Sequence, residues 1–229
     1  MTSLRIDRRF CGPPDSGNGG YVCGLFARAF GGSDCEVTLH HPPPLDRALR
    51  IEGDQLLDGD TLIASAAAAT VEVDIPPPPS LAQAAQAQAR FTGFSGHSFP
   101  TCFVCGPDRA EGDGLRIFAG AANGEVAATW TPDPSLFDED GALHSEFVWS
   151  ALDCPGYFAI EEQAGLALLG RLAVKILERH IGHEQLIVTG WPISSEGRKH
   201  VAGTALHDVR GGLLAIGRAT WVRLQGAQA

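Results

Sequence analysis

The chain reads as one order of elements written twice. In each half an amphipathic helix is followed by a run of strands, which limits the 229 residues to architectures built from two like units. The first helical segment, YVCGLFARAF at 21–30, follows a loop dense in Gly and Pro and is stopped by Gly31 and Gly32. The second lies within GALHSEFVWSALDCPGYFAIEE at 141–162. There Phe147, Val148, Ala151 and Leu152 share one face of a helix, with Asp153 beside that face and Cys154 and Pro155 after it. A carboxylate among Leu, Ala, Cys and Phe is costly to bury without a partner or a task. Taken alone, it reads more simply as an exposed acid or a cap for the next segment.

Strands are expected at 4–10, 34–40, 47–52 and 61–73 in the first half. The alanine run within 61–73 has helix propensity, but its Thr, Ile and Val ends and the preceding Asp58-Gly59 turn favour a strand. In the second half strands are expected at 115–118, 125–131, 169–177, 184–191, 199–207 and 213–224. Four prolines at 76–79, a helix-prone stretch at 81–90 and an irregular one at 91–114 separate the halves. The expected division is 1–80, a linker at 81–101, and 102–229.

The two helices align, with Asn18 to Ala27 over His144 to Asp153. Asp153 then faces Ala27, and the pair Gly19-Gly20 faces Ser145-Glu146. Each half keeps a different part of what would be one site.

A net charge of −10 argues against nucleic acid, whose phosphates call for clustered Lys and Arg. No stretch approaches the roughly 18 uninterrupted apolar residues of a membrane span. The N-terminus has no apolar core of a secretory signal, so the six cysteines are expected as reduced thiols in the cytoplasm. Only Cys102 and Cys105 form a Cys-x-x-Cys pair, with His97 as a weak third ligand candidate. A structural zinc needs four ligands, so incidental thiols come first, metal second and redox chemistry third. Neither a phosphate-cradling loop nor a dinucleotide fingerprint is present, and no metal or organic cofactor is implied.

His144, the nine-residue spacing to Asp153, and Cys102-Phe-Val-Cys105-Gly106 ahead of Gly114-Leu115 resemble the hotdog-fold acyl-CoA thioesterases of the phenylacetate-pathway and 4-hydroxybenzoyl-CoA types. Members carry His-Gly-Gly with an acid nine residues after the His. The resemblance covers 102–229 in outline and the first half more weakly, through Asn18-Gly19-Gly20. It implies an α+β double hotdog, each half an antiparallel sheet wrapped around one central helix. It also implies an acyl-CoA substrate and a homodimer. Two departures stand out. His-Gly-Gly has become His144-Ser145-Glu146, and the first half has Ala27 where the acid belongs.

Thioester hydrolysis needs a donor to the developing oxyanion and a carboxylate that attacks or activates water. Nine residues of one helix span roughly 13 Å, too far for one carbonyl, so the two parts must come from neighbouring helices. The expected composite site therefore joins Gly19 and Gly20, as oxyanion donors, to Asp153. Asn18 and His144 are its polar neighbours, and Tyr21, Arg198 and Lys199 are substrate contacts. Each has a plainer reading: the glycines as a tight turn, His144 as a helix cap, Tyr21 as packing, and Arg198-Lys199 as a solvated strand end. Glu146, in the first turn of its helix, suits the macrodipole without any catalytic role. Two other functions fit the same residues. One is a non-catalytic protein binding acyl-CoA or a small ligand, favoured by the broken His-Gly-Gly. The other is a hydratase or dehydratase using His144.

Overall fold

The computed structural model describes residues 2–31 and 34–225. Gly32, the second expected helix stop, lies outside them. Gly31 caps the first helix with φ of 90°, a left-handed conformation that glycine adopts without steric cost.

The strands are β1 (Thr2–Arg5), β2 (Asp34–Leu39), β3 (Ala48–Glu52), β4 (Gln55–Asp58), β5 (Thr61–Ala68), β6 (Gly120–Ala122), β7 (Glu125–Trp130), β8 (Ala167–Ile176), β9 (Leu186–Glu196), β10 (Lys199–His207) and β11 (Leu213–Arg223). The helices are α1 (Gly19–Phe30), α2 (Leu81–Gln88), α3 (Ser145–Ala151), α4 (Cys154–Phe158) and α5 (Glu161–Ala164). The eleven strands of the described residues join one antiparallel sheet in the order β1-β3-β4-β5-β2-β8-β11-β10-β9-β7-β6.

That order carries the duplication. After α1 the strands run outward as β2, β5, β4, β3; after α3 they run outward as β8, β11, β10, β9. The strand before each helix sits beyond the last of these, β1 in one half and β7 in the other. The halves meet where β2 pairs with β8, with Val37 opposite Leu172 and Cys35 opposite Val174. These apolar side chains leave no solvated seam, because Val37, Leu172, Cys35 and Val174 are all fully buried.

α1 packs against β2, β5 and β8, while α4 packs against β9 and β10. Between them α1 and α3 lie directly against each other. Gly20 and Gly24, one turn apart on α1, allow this approach. A Cβ on Gly24 would lie 2.7 Å from both Glu146 Cα and Trp149 Cβ, and one on Gly20 would lie 2.5 Å from Asp153 Cβ. α2 is a satellite, opened by a Ser80–Gln83 capping box. It lays Ala84 and Ala87 on Ala127 and Ile187, over the outer strands.

Four expectations need correction. The helix in 141–162 is not continuous: it stops at Ala151 and restarts at Cys154, and Asp153 has φ −85° and ψ −83°. Pro155 has no N–H to give Ala151 and its ring crowds the Ala151 carbonyl, so α3 does not run on through it; α4 restarts with Pro155 in its first turn, where a missing N–H is tolerated. Residues 115–118 form no sheet strand. Leu115 and Ile117 donate instead to the carbonyls of Phe103 and Val104, which ties this segment to the cysteine loop. The strand expected at 4–10 is only β1, followed by a 3-10 turn at Arg8–Phe10. The strand expected at 61–73 ends at Ala68, ahead of the prolines. Among the described residues no helix is long and apolar enough to cross a membrane.

Gly24→Ala should force the two helices apart. Overpacking of this kind costs about 1–3 kcal/mol. The expected result is a lowered urea midpoint with an unchanged slope of free energy against urea, read by circular dichroism.

Candidate functional site

Asp153 sits in the break between α3 and α4, opposite the start of α1. Asn18 caps α1: its Oδ1 accepts from the Tyr21 N–H at 2.9 Å. That bond fixes the amide, so Nδ2 points the other way and donates to Asp153 Oδ2 at 2.9 Å. The Gly20 N–H donates to the same oxygen at 3.0 Å. Asp153 Oδ1 is buried and has no partner among the described residues. The residue is only 2% exposed, and burial pushes its carboxyl up to about 7 against the lowering effect of the Gly20 N–H.

Oδ1 belongs to a residue that lines a cavity of about 170 Å³. Asn18 and Gly19 line it on the α1 side, and Tyr157, Phe158, Leu168, Leu169 and Trp221 supply much of its apolar wall. Gly19 is the first helical residue, and its N–H has no hydrogen-bond partner among the described residues. It is one of the open donors every helix N-terminus leaves. A shallow groove shares Pro13, Gly19, Leu168 and Leu169 with the cavity and runs on to His40, His41 and Arg198.

The same cavity is lined by Cys102, Cys105 and Cys154, all buried. The Cys102 and Cys154 sulfurs are 3.8 Å apart. Hydrogen bonds from the Cys105 and Cys154 thiols hold the Cys102 thiol well below its ordinary range. Burial and the Cys102 neighbour keep Cys105 well above it, while bonding to Cys102 and Cys105 keeps Cys154 above it. The Phe99 N–H donates to His97 Nδ1 at 2.9 Å, and burial lowers His97 toward the neutral form. The ring proton therefore sits on Nε2, which donates to Cys105 Sγ at 3.2 Å.

Of the residues expected from sequence, Asn18, Gly19, Gly20 and Asp153 come together from α1 and the α3–α4 break. Gly20 does so in a different capacity: its N–H is occupied by Asp153, so it is not an open oxyanion donor. His144 is not brought to them. It caps α3 without a side-chain bond and lines a separate recess with Arg28, Arg179 and His180. Tyr21 lies in an aromatic cluster, stacked on Phe10 at 4.0 Å, and is absent from the cavity wall. Arg198 reaches the adjoining groove; Lys199 is exposed at the start of β10 and lines neither space. At the pseudo-symmetric end Glu146 pairs with Arg28 at 2.6 Å. Sequence reasoning missed the convergence of Cys154 with Cys102 and Cys105. The signal was its position beside Asp153, but it lies 49 residues beyond Cys105 and completes no local pattern.

No protein-family model and no curated protein matches this chain. Among solved structures, a Mycobacterium avium subsp. paratuberculosis tesB protein is 14% identical, covering 96% of this chain and 91% of its own, with a TM-score of 0.60. The Escherichia coli PaaI protein from the phenylacetic acid degradation operon is 15% identical over 45% of this chain and 79% of its own, with a TM-score of 0.42. A thioesterase superfamily protein is 18% identical with a TM-score of 0.45; 48% of this chain matches 54% of that one, so the likeness spans about half its length. The near full-length likeness to the tesB protein establishes the α+β double hotdog as the fold.

Proposed function

From a double hotdog of the thioesterase-superfamily kind, we propose that this protein hydrolyses acyl-CoA thioesters in the cavity beside Asp153. One observation carries the reading. A buried carboxylate has one oxygen fixed by Gly20 and Asn18 and the other without a partner in a residue lining a largely apolar cavity. Such an arrangement holds a carboxylate in one orientation and leaves a single lone-pair face for chemistry.

Asp153 Oδ1 takes a proton from a water, which attacks the thioester carbon. The carbonyl oxygen gains charge and is met by the Gly19 N–H at the positive end of α1. The C–S bond then breaks, and the CoA thiolate leaves with the proton that Asp153 returns. The products are a carboxylic acid and free CoA. Asn18 is a positioning residue, since it caps the helix and orients the base in one amide group.

The acyl group occupies the cavity of about 170 Å³. A dry cavity of ~150 Å³ holds a benzene ring, so short acyl chains or a single aromatic ring suit this space. The CoA arm lies in the adjoining groove, where Arg198 and the His40-His41 pair offer donors to phosphates. Both helices of the site come from one chain, so a homodimer, which the resemblance implies, is not needed to complete it. Six free cysteines suit a reducing compartment such as the cytoplasm. A hydratase using His144 loses support, because that residue lines a different recess.

A panel of acyl-CoA thioesters, followed by release of free thiol, tests the reading. Turnover should favour short or aromatic acyl groups. Asp153→Asn should lower kcat by about 10²–10⁴-fold, while Glu146→Gln retains turnover. Turnover that survives in Asp153→Asn and is lost in Glu146→Gln refutes the site. Binding without turnover on every substrate would mark a ligand-binding protein instead.

Arg198→Ala should raise KM for acyl-CoA but leave KM for the same acyl group on a short phosphate-free thiol unchanged. An equal effect on both substrates would remove Arg198 from the CoA contact.

A further inference from the structure

We propose that Cys102, Cys105 and Cys154 form a binding site for a soft divalent metal ion of the zinc class in the wall of this cavity. The three sulfurs all lie within 4.8 Å of one another. A tetrahedral ion with metal–sulfur bonds of about 2.3 Å sets its sulfurs roughly 3.8 Å apart. The Cys102 and Cys154 sulfurs already have that separation, at 3.8 Å. Thiolate-rich tetrahedral sites select zinc over the hard cations.

The sulfurs are held in place by backbone constraints. The cysteine loop turns tightly at Gly106, whose N–H donates to the Cys102 carbonyl at 2.9 Å, and a Cβ there would lie 2.5 Å from that carbonyl oxygen. Cys154 is fixed as the first residue of α4, just after the helix break. An outer set of donors also faces the sulfurs. His97 Nε2–H donates to Cys105 Sγ, and Asn18 Nδ2 lies 3.8 Å from Cys102 Sγ. N–H groups directed at sulfur stabilise thiolates and tune metal sites. Buried cysteines acting only as small filler need none of them. Because Phe99 donates to His97 Nδ1, the ring supports a ligand from outside rather than ligating. All three cysteines line the cavity, which gives the ion access and leaves its fourth position to water or a small ligand. On binding, the protons of the un-ionised thiols pass to solvent, and no electron is transferred.

This site does not depend on the thioesterase reading, and its test does not use activity. The full chain, reduced and handled without oxygen, is titrated with cobalt(II) and then with zinc(II). We expect one cobalt per chain, with sulfur-to-cobalt charge-transfer bands in the near ultraviolet, intense tetrahedral d–d bands, and displacement by zinc. Zinc should also raise the thermal midpoint. Cys102→Ser and Cys154→Ser should abolish the bands. Cys11→Ser, at a buried cysteine outside the cluster, should keep them. His97→Gln should keep them with ~10–100-fold weaker affinity. If the serine variants do not fold, the wild-type spectrum decides alone. Wild type with all six thiols titratable after denaturation and no charge-transfer band overturns the proposal. So do bands that persist unchanged in a folded Cys154→Ser protein.

Discussion

The close crossing of α1 and α3 is the constraint on which the rest of the structure depends. Two helices can touch backbone to backbone only where side chains are missing, and Gly20 and Gly24 supply that gap one turn apart. The crossing brings Asp153 within reach of the Gly20 N–H, a bond that a thicker helix interface would break. It also seats Trp149, fully buried, against α1 and buries Glu146 beside Arg28. Packing and the orientation of the acid therefore have one cause here. A residue chosen for its lack of volume is also the one whose backbone orients the acid.

The duplicated order was legible because it rests on periodicity and turns, which are local. The two helices, the turn at Asp58-Gly59 and most of the strands that follow each helix come from that pattern. The helix break was less visible. Phe147, Val148, Ala151 and Leu152 continue a helical stripe, and only Pro155 opposes it. The segment 115–118 alternates like a strand, yet its partner is the cysteine loop rather than the sheet, and no local signal names a partner.

The site was half legible for the same reason. Aligning Asn18 to Ala27 with His144 to Asp153 set Asp153 over Ala27 and Gly19-Gly20 over Ser145-Glu146, and the length of nine helical residues then required the acid and the glycines to meet across the helix pair. That alignment said nothing of which N–H groups remain open, and Gly20 exchanged the expected role for holding the carboxylate. His144 was matched by motif spacing along its own helix, which leaves it at the far end of α3. Tyr21 stacks on Phe10 of the preceding 3-10 turn and lies beside Phe103 and Phe147, contacts between separate segments that the helical pattern does not name. The thiol cluster required knowing that 102–105 folds back onto the α3–α4 break, a contact between distant segments.

The two ends of the helix pair treat their buried acids differently, and that difference is what favours the Asp153 end in the proposed reaction. Glu146 has one oxygen on the Arg28 guanidinium, so its charge is balanced by a neighbour that reaches solvent. Asp153 has no cation, only the dipoles of an amide and a backbone N–H at the start of α1. Dipoles orient a carboxylate without supplying a counter-charge, and the second oxygen of Asp153 is left without a partner among the described residues. The helix break keeps this arrangement from relaxing. An uninterrupted helix would carry Asp153 along the face of α3, whereas the interruption at Leu152 and Asp153, ahead of Pro155, holds it at the N-terminus of α1 with Cys154 at its side. A proline that weakens one helix thus places an acid and a thiol against the start of another.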